Sequence, residues 1–286
     1  MSKFTIFSDR YKDPQAEKAR ALSGHLHLAG AQSRIQPFDA KFEWRDVEKL
    51  DLDLESCDAL IVLGGDGSFL RIARLAYEFE IPILGINLGR LGFLLDTDYD
   101  YFIDHVDDFL SGAWIKEFRQ MLACEVYDSK RNLLWHDVAL NDVVISSSQG
   151  SRFTSLRLGI DGKYLQTIHG DGLIVASPSG STGYALAAGG PIIFPHLNLL
   201  EITAICPHSL QGRTYIVSES NRVEIELDNY QIDQQRIALY VDGHPRHSLQ
   251  AEERVEVTAA RRQLEILSSP QAAPYSDLDA KLRARR

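Results

Sequence analysis

The stretch DALIVLGGDGSFLRIA, Asp58 to Ala73, ends an apolar run with three glycines set around one aspartate. Glycine accepts φ > 0 and lets a ligand approach the backbone, so Gly64, Gly65 and Gly67 read as an anion-accepting turn. A helix starting there points its unpaired N–H groups at the same place, which favours phosphate. Arg71 adds a cation to this phosphate-binding set. No G-x-x-x-x-G-K-[ST] is present, and Leu70 stands where a G-x-G-x-x-G needs its third glycine, so neither a P-loop nor an ordinary dinucleotide fingerprint is supported. A carboxylate beside phosphate-binding amides opposes anion binding by repulsion. Asp66 makes sense if it meets a hydroxyl or a magnesium ion. A carboxylate so placed orients the hydroxyl and takes its proton as the bond to phosphorus forms, while Mg²⁺ neutralises the donor phosphates.

Three further clusters have types suited to chemistry. GDGLIVASPSGSTGYALAAGGP, Gly170 to Pro191, sets Asp171 between glycines and gathers hydroxyls and backbone amides around Thr182 and Gly183 before Tyr184, whose ring suits a planar ligand. Ordinary turn chemistry is the competing account. ALNDVVIS places Asn141 and Asp142 in an otherwise apolar strand pattern, where a buried polar group must find either a backbone partner or a ligand. YVDGHPRH offers Asp242, His244 and His247, with a hairpin turn at Asp242-Gly243 as the simpler reading and no third metal ligand nearby.

The elements that must carry these residues change character along the chain. KFTIFSD reads as a strand and DPQAEKARALSGHLHLAG as a helix opened at Asp13-Pro14. DALIVLGG is a second strand, SFLRIARLAYEFE a helix and IPILGIN a third strand, so a parallel α/β sheet is expected. From about Trp114 short strand-like pieces separated by Gly, Asn and Asp predominate, with one short helix in GSTGYALAAGGPII. The expected organisation is an α/β domain over 1–113 and a β-rich domain over 114–268. A segment over 269–286, helical at SDLDAKLRARR, is expected to return to the first domain.

The 286 residues carry a formal net charge of -10, with 44% hydrophobic and 24% charged residues, which fits globular domains and offers no long-range attraction for nucleic acid or an anionic membrane. Cys57, Cys124 and Cys206 form no C-x-x-C pair, and no run approaches a membrane span. A cytoplasmic protein is expected.

Together these stretches resemble the NAD kinase family. GGDGSFL is similar to its Gly-Gly-Asp-Gly-Thr signature, GINLGRLGFL at 85–94 to the stretch after it, and LNDVV to its Asn-Glu/Asp element. GDGLIVASPSGSTGYALAAGGPII resembles its long glycine-rich region, and CPHSLQGR and VDG follow in order. Gly-Gly-Asp-Gly alone is shared with phosphofructokinases and lipid kinases; the long region is more specific. The resemblance implies a two-domain NAD kinase-like fold and transfer of phosphate from Mg-ATP, or polyphosphate, to the 2′-hydroxyl of NAD. NAD(H) and NADP(H) are the implied ligands, in a dimer or tetramer, without nucleic acid or membrane. It places Asp66 at the 2′-hydroxyl, Gly67 at the phosphates, Asn141 at the adenine and Asp142 at the nicotinamide-side ribose. Asp171 lies by the nicotinamide end, Thr182 and Tyr184 by the adenine, and Asp242 near the reacting hydroxyl as a second candidate base. Ser68 replaces the usual Thr and keeps the hydroxyl, Gly183 stands where Ala is common, and Asp142 is shorter than the frequent Glu. His169 is the place to look for preference between NAD and NADH. The rivals are a lipid kinase on the same turn, poorly served by an acidic chain, and a dinucleotide sensor, which gains nothing from carboxylates facing phosphate.

Overall fold

The computed structural model describes residues 1–270 except 44, 46, 48, 49, 51, 90, 91, 148–153, 209–211 and 229–236. The helix expected at SDLDAKLRARR lies outside the described residues. In chain order, Lys3–Asp9 forms β1, Glu17–Leu28 α1, Gln32–Phe38 β2, Ala59–Gly64 β3, Asp66–Phe79 α2, Ile83–Asn87 β4 and Thr97–Asp98 β5. Tyr99–Asp104 and Val106–Leu110 are α3 and α4. These belong to a first unit, Met1–Phe118 with the chain from Leu264.

Its strands pair in parallel in the order β4-β3-β1-β2, with β5 beside β4. β3 and β4 are buried at every residue, as strands covered on both faces must be. The chain steps from β1 outward to β2 and then returns to the other side of β1 for β3 and β4. The strand order therefore reverses beside β1, and the loops leaving the carboxyl ends of β1 and β3 diverge, which opens a crevice there. α2 turns Phe69, Ile72, Ala73, Leu75 and Ala76 inward. α1 begins at Glu17 rather than at Pro14: Ala16 takes a left-handed φ of 52°, and the Asp13 carboxylate accepts from the N–H groups of Lys18 (3.3 Å) and Ala19 (3.0 Å).

The second unit, Arg119–Gln263, is almost entirely β. Its elements are β6 (Ile115–Tyr127), β7 (Leu133–Ala139), β8 (Asp142–Ser147), β9 (Thr154–Ile160), β10 (Lys163–Gly170) and β11 (Gly172–Ala176). A 3-10 turn at Ser179–Thr182, then α5 (Tyr184–Ala187), β12 (Leu199–Ile205), β13 (Tyr215–Ser218) and β14 (Val223–Leu227) follow. β15 (Ile237–Val241), β16 (His244–Leu249) and β17 (Arg254–Ser268) complete it.

One sheet runs β10-β9-β14-β17-β6-β7 and the other β13-β12-β11-β8-β15-β16. Alternate residues of both sheets share a core, with Leu156, Leu158, Val223 and Val255 from one and Val143, Leu173, Leu200 and Leu239 from the other. This is the packing of a β-sandwich. On the outer face of the second sheet α5 adds Ala185 to a smaller cluster with Val144, Ile174, Ala176 and Ile205. The units' limits differ by a few residues from the 1–113 and 114–268 expected. The reason is that β6 and β17 are continuous strands, and the end of β17 pairs in parallel with β4 at Ile266–Ile83 and Leu267–Leu84.

Candidate functional site

The structure gathers the sequence-predicted residues into two groups, one in each unit. In the first, a cavity of about 820 Å³ opens beyond the carboxyl ends of the strands, lined by Asp9 and Lys12 after β1, Asp39 after β2, the Gly65–Ser68 turn with Arg71 after β3, and Gly89 and Gly92 after β4. Asp66 is the first residue of α2, so the amides of Asp66, Gly67 and Ser68 are first-turn donors without intrahelical acceptors. Ser68 holds this turn: its Oγ accepts from the N–H of Gly65 at 3.3 Å and donates to Asp9.

The Asp66 carboxylate faces across to the next loop. Oδ2 accepts the N–H of Phe93 at 2.9 Å and Oδ1 that of Leu94 at 3.3 Å. Gly92 lies against it so closely that an added methyl would sit 2.0 Å from Oδ1 and 2.4 Å from Cγ. The glycines of the turn serve differently from the expectation of positive φ. None of Gly64, Gly65 and Gly67 has φ in the left-handed region, and Gly65 is extended at −142°. Gly64 is needed for close packing, since a methyl there would lie 2.5 Å from Ser68 Oγ, whereas Gly67 is exposed with nothing within 4 Å of its missing Cβ.

Sequence reading missed Asp9, Lys12 and Gly92. Lys12 Nζ lies beside Gly89, 2.8 Å from where a Cβ would stand, which puts a cation in the same cavity as the helix start. Arg71 donates weakly to the carbonyl of Phe42 at 3.4 Å. The arrangement offers phosphate two cations and helix-start amides, with the carboxylates of Asp9, Asp39 and Asp66 in the same lining. Among the described residues no group of three or more His, Cys, Asp or Glu side chains is poised to hold a metal ion. A divalent ion would therefore take most of its oxygens from a phosphate ligand, with Asp9 or Asp66 in reach of the cavity.

In the second unit Asn141 precedes β8 and Asp142 begins it, and Asp242 sits at the β15–β16 hairpin. Asp242 and Gly243 have φ of 47° and 77°, the signature of a two-residue type I′ turn. The Asp242 carboxylate accepts the N–H groups of Asn141 at 2.8 Å, Leu140 at 3.1 Å and Asp142 at 3.2 Å. The hairpin reading and a side-chain role thus coincide, and that role is to fix the backbone of Leu140–Asp142. Gly180 packs on the same segment, where a methyl would stand 2.0 Å from the Asn141 carbonyl oxygen.

The side chains of Asn141 and Asp142 lie near Gly183, with Nδ2 and Oδ2 respectively 3.7 and 3.6 Å from its missing Cβ. Asn141 Oδ1 is buried without a hydrogen-bond partner among the described residues. Thr182 Oγ1 donates to the Ser179 carbonyl at 3.3 Å. Tyr184 is half exposed; burial raises its phenol, with Cys206, Asp171 and Asp142 acting in the same direction. His169 is exposed, its Nδ1 3.1 Å from Ser155 Oγ. Ser155 in turn donates to Asp228 at 3.1 Å.

Comparisons with known proteins give this arrangement a class. The ATP-NAD kinase N-terminal domain model matches residues 7–113 and the ATP-NAD kinase C-terminal domain model residues 140–269. The NAD kinase of Ruminiclostridium cellulolyticum is 34% identical over 287 residues, covering 100% of this chain and 99% of that one. That of Thiobacillus denitrificans is 39% identical over 259 residues, 91% and 87% of the two chains. The fold is that of a yeast NADH kinase solved with NADH, at a TM-score of 0.84 and 22% identity over 99% of this chain and 88% of that one. An Archaeoglobus fulgidus NAD kinase solved with ATP matches at 0.76 and 21% over 98% and 99%. The chain belongs to the NAD kinase family.

Proposed function

We propose that this chain transfers the γ-phosphoryl group of ATP to the 2′-hydroxyl of the adenosine ribose of NAD, giving NADP and ADP. The observation that carries the reading is Asp66, fixed by two backbone amides at the start of α2 in a cavity that also holds Lys12 and Arg71. The 2′-oxygen forms the new bond to phosphorus, the bond from phosphorus to the β–γ bridging oxygen breaks, and the hydroxyl proton passes to Asp66. Because such transition states are loose, orientation of the hydroxyl supplies more than proton removal does. The first-turn amides of Asp66, Gly67 and Ser68, with Lys12 and Arg71, take the donor phosphates. A divalent ion carried on those phosphates, with Asp9 or Asp66 in reach of the cavity, would supply charge neutralisation at the leaving group.

Asp66 is preferred over Asp242 as the group at the hydroxyl. Asp242 is buried and its two oxygens already hold three amides of its own unit, whereas Asp66 is partly open to the cavity. Asn141, with an unpartnered buried oxygen, reads the adenine, and Tyr184 and Thr182 lie beside it. Asp142 binds the nicotinamide-side ribose, while Asp171 and His169 lie toward the nicotinamide, His169 bearing on the choice between NAD and NADH. Polyphosphate is the alternative donor, and a homo-oligomer in the cytoplasm is the working assembly. Among the described residues no helix is long and apolar enough to cross a membrane.

The test is NADP formation from NAD and Mg-ATP, read by an NADP-specific dehydrogenase, for wild type and Asp66→Asn together. Wild-type turnover reduced about 10²–10⁴-fold by the substitution is expected. A folded wild type that binds NAD and forms no NADP would sink the proposal and leave the sensor.

A further inference from the structure

On the outer face of the second sheet Asp142, Ala176 and Glu201 stand in one row across β8, β11 and β12, because Ala176 is opposite both carboxylates. α5 covers this face through Ala185. Glu201 is fully buried beneath it. Its Oε1 accepts the Thr203 hydroxyl at 2.9 Å, and Thr203 is 3.0 Å from the Thr214 hydroxyl. Oε2 has no hydrogen-bond partner among the described residues. Oε1 also faces Gly190, where a methyl would stand 1.9 Å from it and 3.0 Å from the Ala185 carbonyl. Gly190 and Gly189 donate back into α5, to the carbonyls of Ala185 (2.9 Å) and Leu186 (3.0 Å). Carboxyl, glycine turn and the end of α5 are therefore in direct succession.

A buried carboxyl with an unused oxygen destabilises a strand that a leucine would serve better. We propose that Glu201 is a positioning residue for the nucleotide: it props the Gly189–Gly190 turn and, through α5, sets the place of Tyr184. This rests on the reading of the Ser177–Gly190 loop as NAD-binding. A methyl at Gly190 would collide with the carboxyl, so the turn rests directly on Glu201 and its height depends on that side chain.

Burial pushes this carboxyl up to about 7, with the Thr203 hydrogen bond pulling the other way. Among the described residues, the groups facing it from neighbouring elements are uncharged: Ala176 on β11, Ile216 on β13, Gly190 after α5, and Thr203 and Thr214. The nearest carboxylate of its row, Asp142, is two strand spacings away, about 9–10 Å. Glu201 is therefore neutral below about pH 7 and ionised above it. An ionised carboxylate must draw in water, so the prop and the grip on NAD loosen as pH rises through that value.

The experiment compares wild type, Glu201→Gln and Glu201→Ala for KM of NAD, KM of ATP and kcat between pH 6 and 8.5, with thermal melts for folding. Expected for Glu201→Ala is a rise of about tenfold in KM for NAD, with KM for ATP and kcat within about twofold. Glu201→Gln should restore KM for NAD and remove the rise in that constant which wild type shows above pH 7. A Glu201→Ala protein with a lowered Tm and an unchanged KM for NAD would make Glu201 merely structural. If Glu201→Ala does not fold, the glutamine variant decides: a pH profile identical to wild type overturns the proposal. Failure of wild type itself to form NADP would instead refute the reading on which the proposal rests.

Discussion

Replacing Gly92 by alanine tests the placement of Asp66 without touching Asp66 itself. The new methyl carbon would stand 2.0 Å from Oδ1, 2.4 Å from Oδ2 and 2.4 Å from Cγ, where contact is comfortable only at about 3.5 Å. The carboxylate must therefore retreat by roughly 1–1.5 Å, since its neighbour across the gap is backbone. That retreat breaks the bonds from Phe93 and Leu94, each worth about 1.5–3 kcal/mol when the acceptor is charged. A displacement of about 1 Å in a positioning group costs about 10²-fold in rate, or about 2.7 kcal/mol of barrier. Steady-state NADP formation should thus show kcat lowered about 10²-fold, with KM for ATP little changed because Lys12 and Arg71 are not displaced. Gly24→Ala in α1, which meets nothing within 4 Å, is the control for adding a methyl where it meets no neighbour. A Gly92→Ala enzyme with the wild-type melting temperature and kcat within threefold would refute the claim that the clamped carboxylate sets the rate.

Two further predictions separate the roles of neighbouring groups. Asp242→Asn loses one of the oxygens that hold Leu140, Asn141 and Asp142. Urea unfolding should show about 2–4 kcal/mol less stability, and an unchanged midpoint with lost turnover would return Asp242 to the list of bases. Lys12→Ala removes the cation beside Gly89 from the cavity. KM for ATP should rise about tenfold, about 1.4 kcal/mol, more steeply at low salt, while KM for NAD stays close to wild type; equal changes in both constants would place Lys12 elsewhere.

What could be read from the chain alone, and what could not, follows from whether a residue's partners are near in sequence. The turn at Gly64–Ser68 announces itself because strand, glycines and helix are contiguous, and β1, β3 and α2 carry their periodicity in one run each. β2 does not, because QSRIQPF is an edge strand with few apolar residues and a proline that an edge tolerates. β16 fails for the same reason in HPRHSL, at the other sheet's edge. β12 is hidden differently: LLEITAI is buried from Leu200 onward, and the glutamate that interrupts its apolar pattern packs against a loop eleven residues earlier. Lys12, Asp9 and Gly92 reach Asp66 through parallel strand pairing, which joins the ends of β1, β3 and β4 across long separations in the chain. A motif search weighs the glycines beside the aspartate. The glycine that fixes its carboxylate is Gly92, at the end of another loop, and its need is visible only as the space a methyl would take from Asp66. Glu201 stands in the same relation to Gly190, so in each unit a carboxylate is paired with a distant glycine that makes room for it.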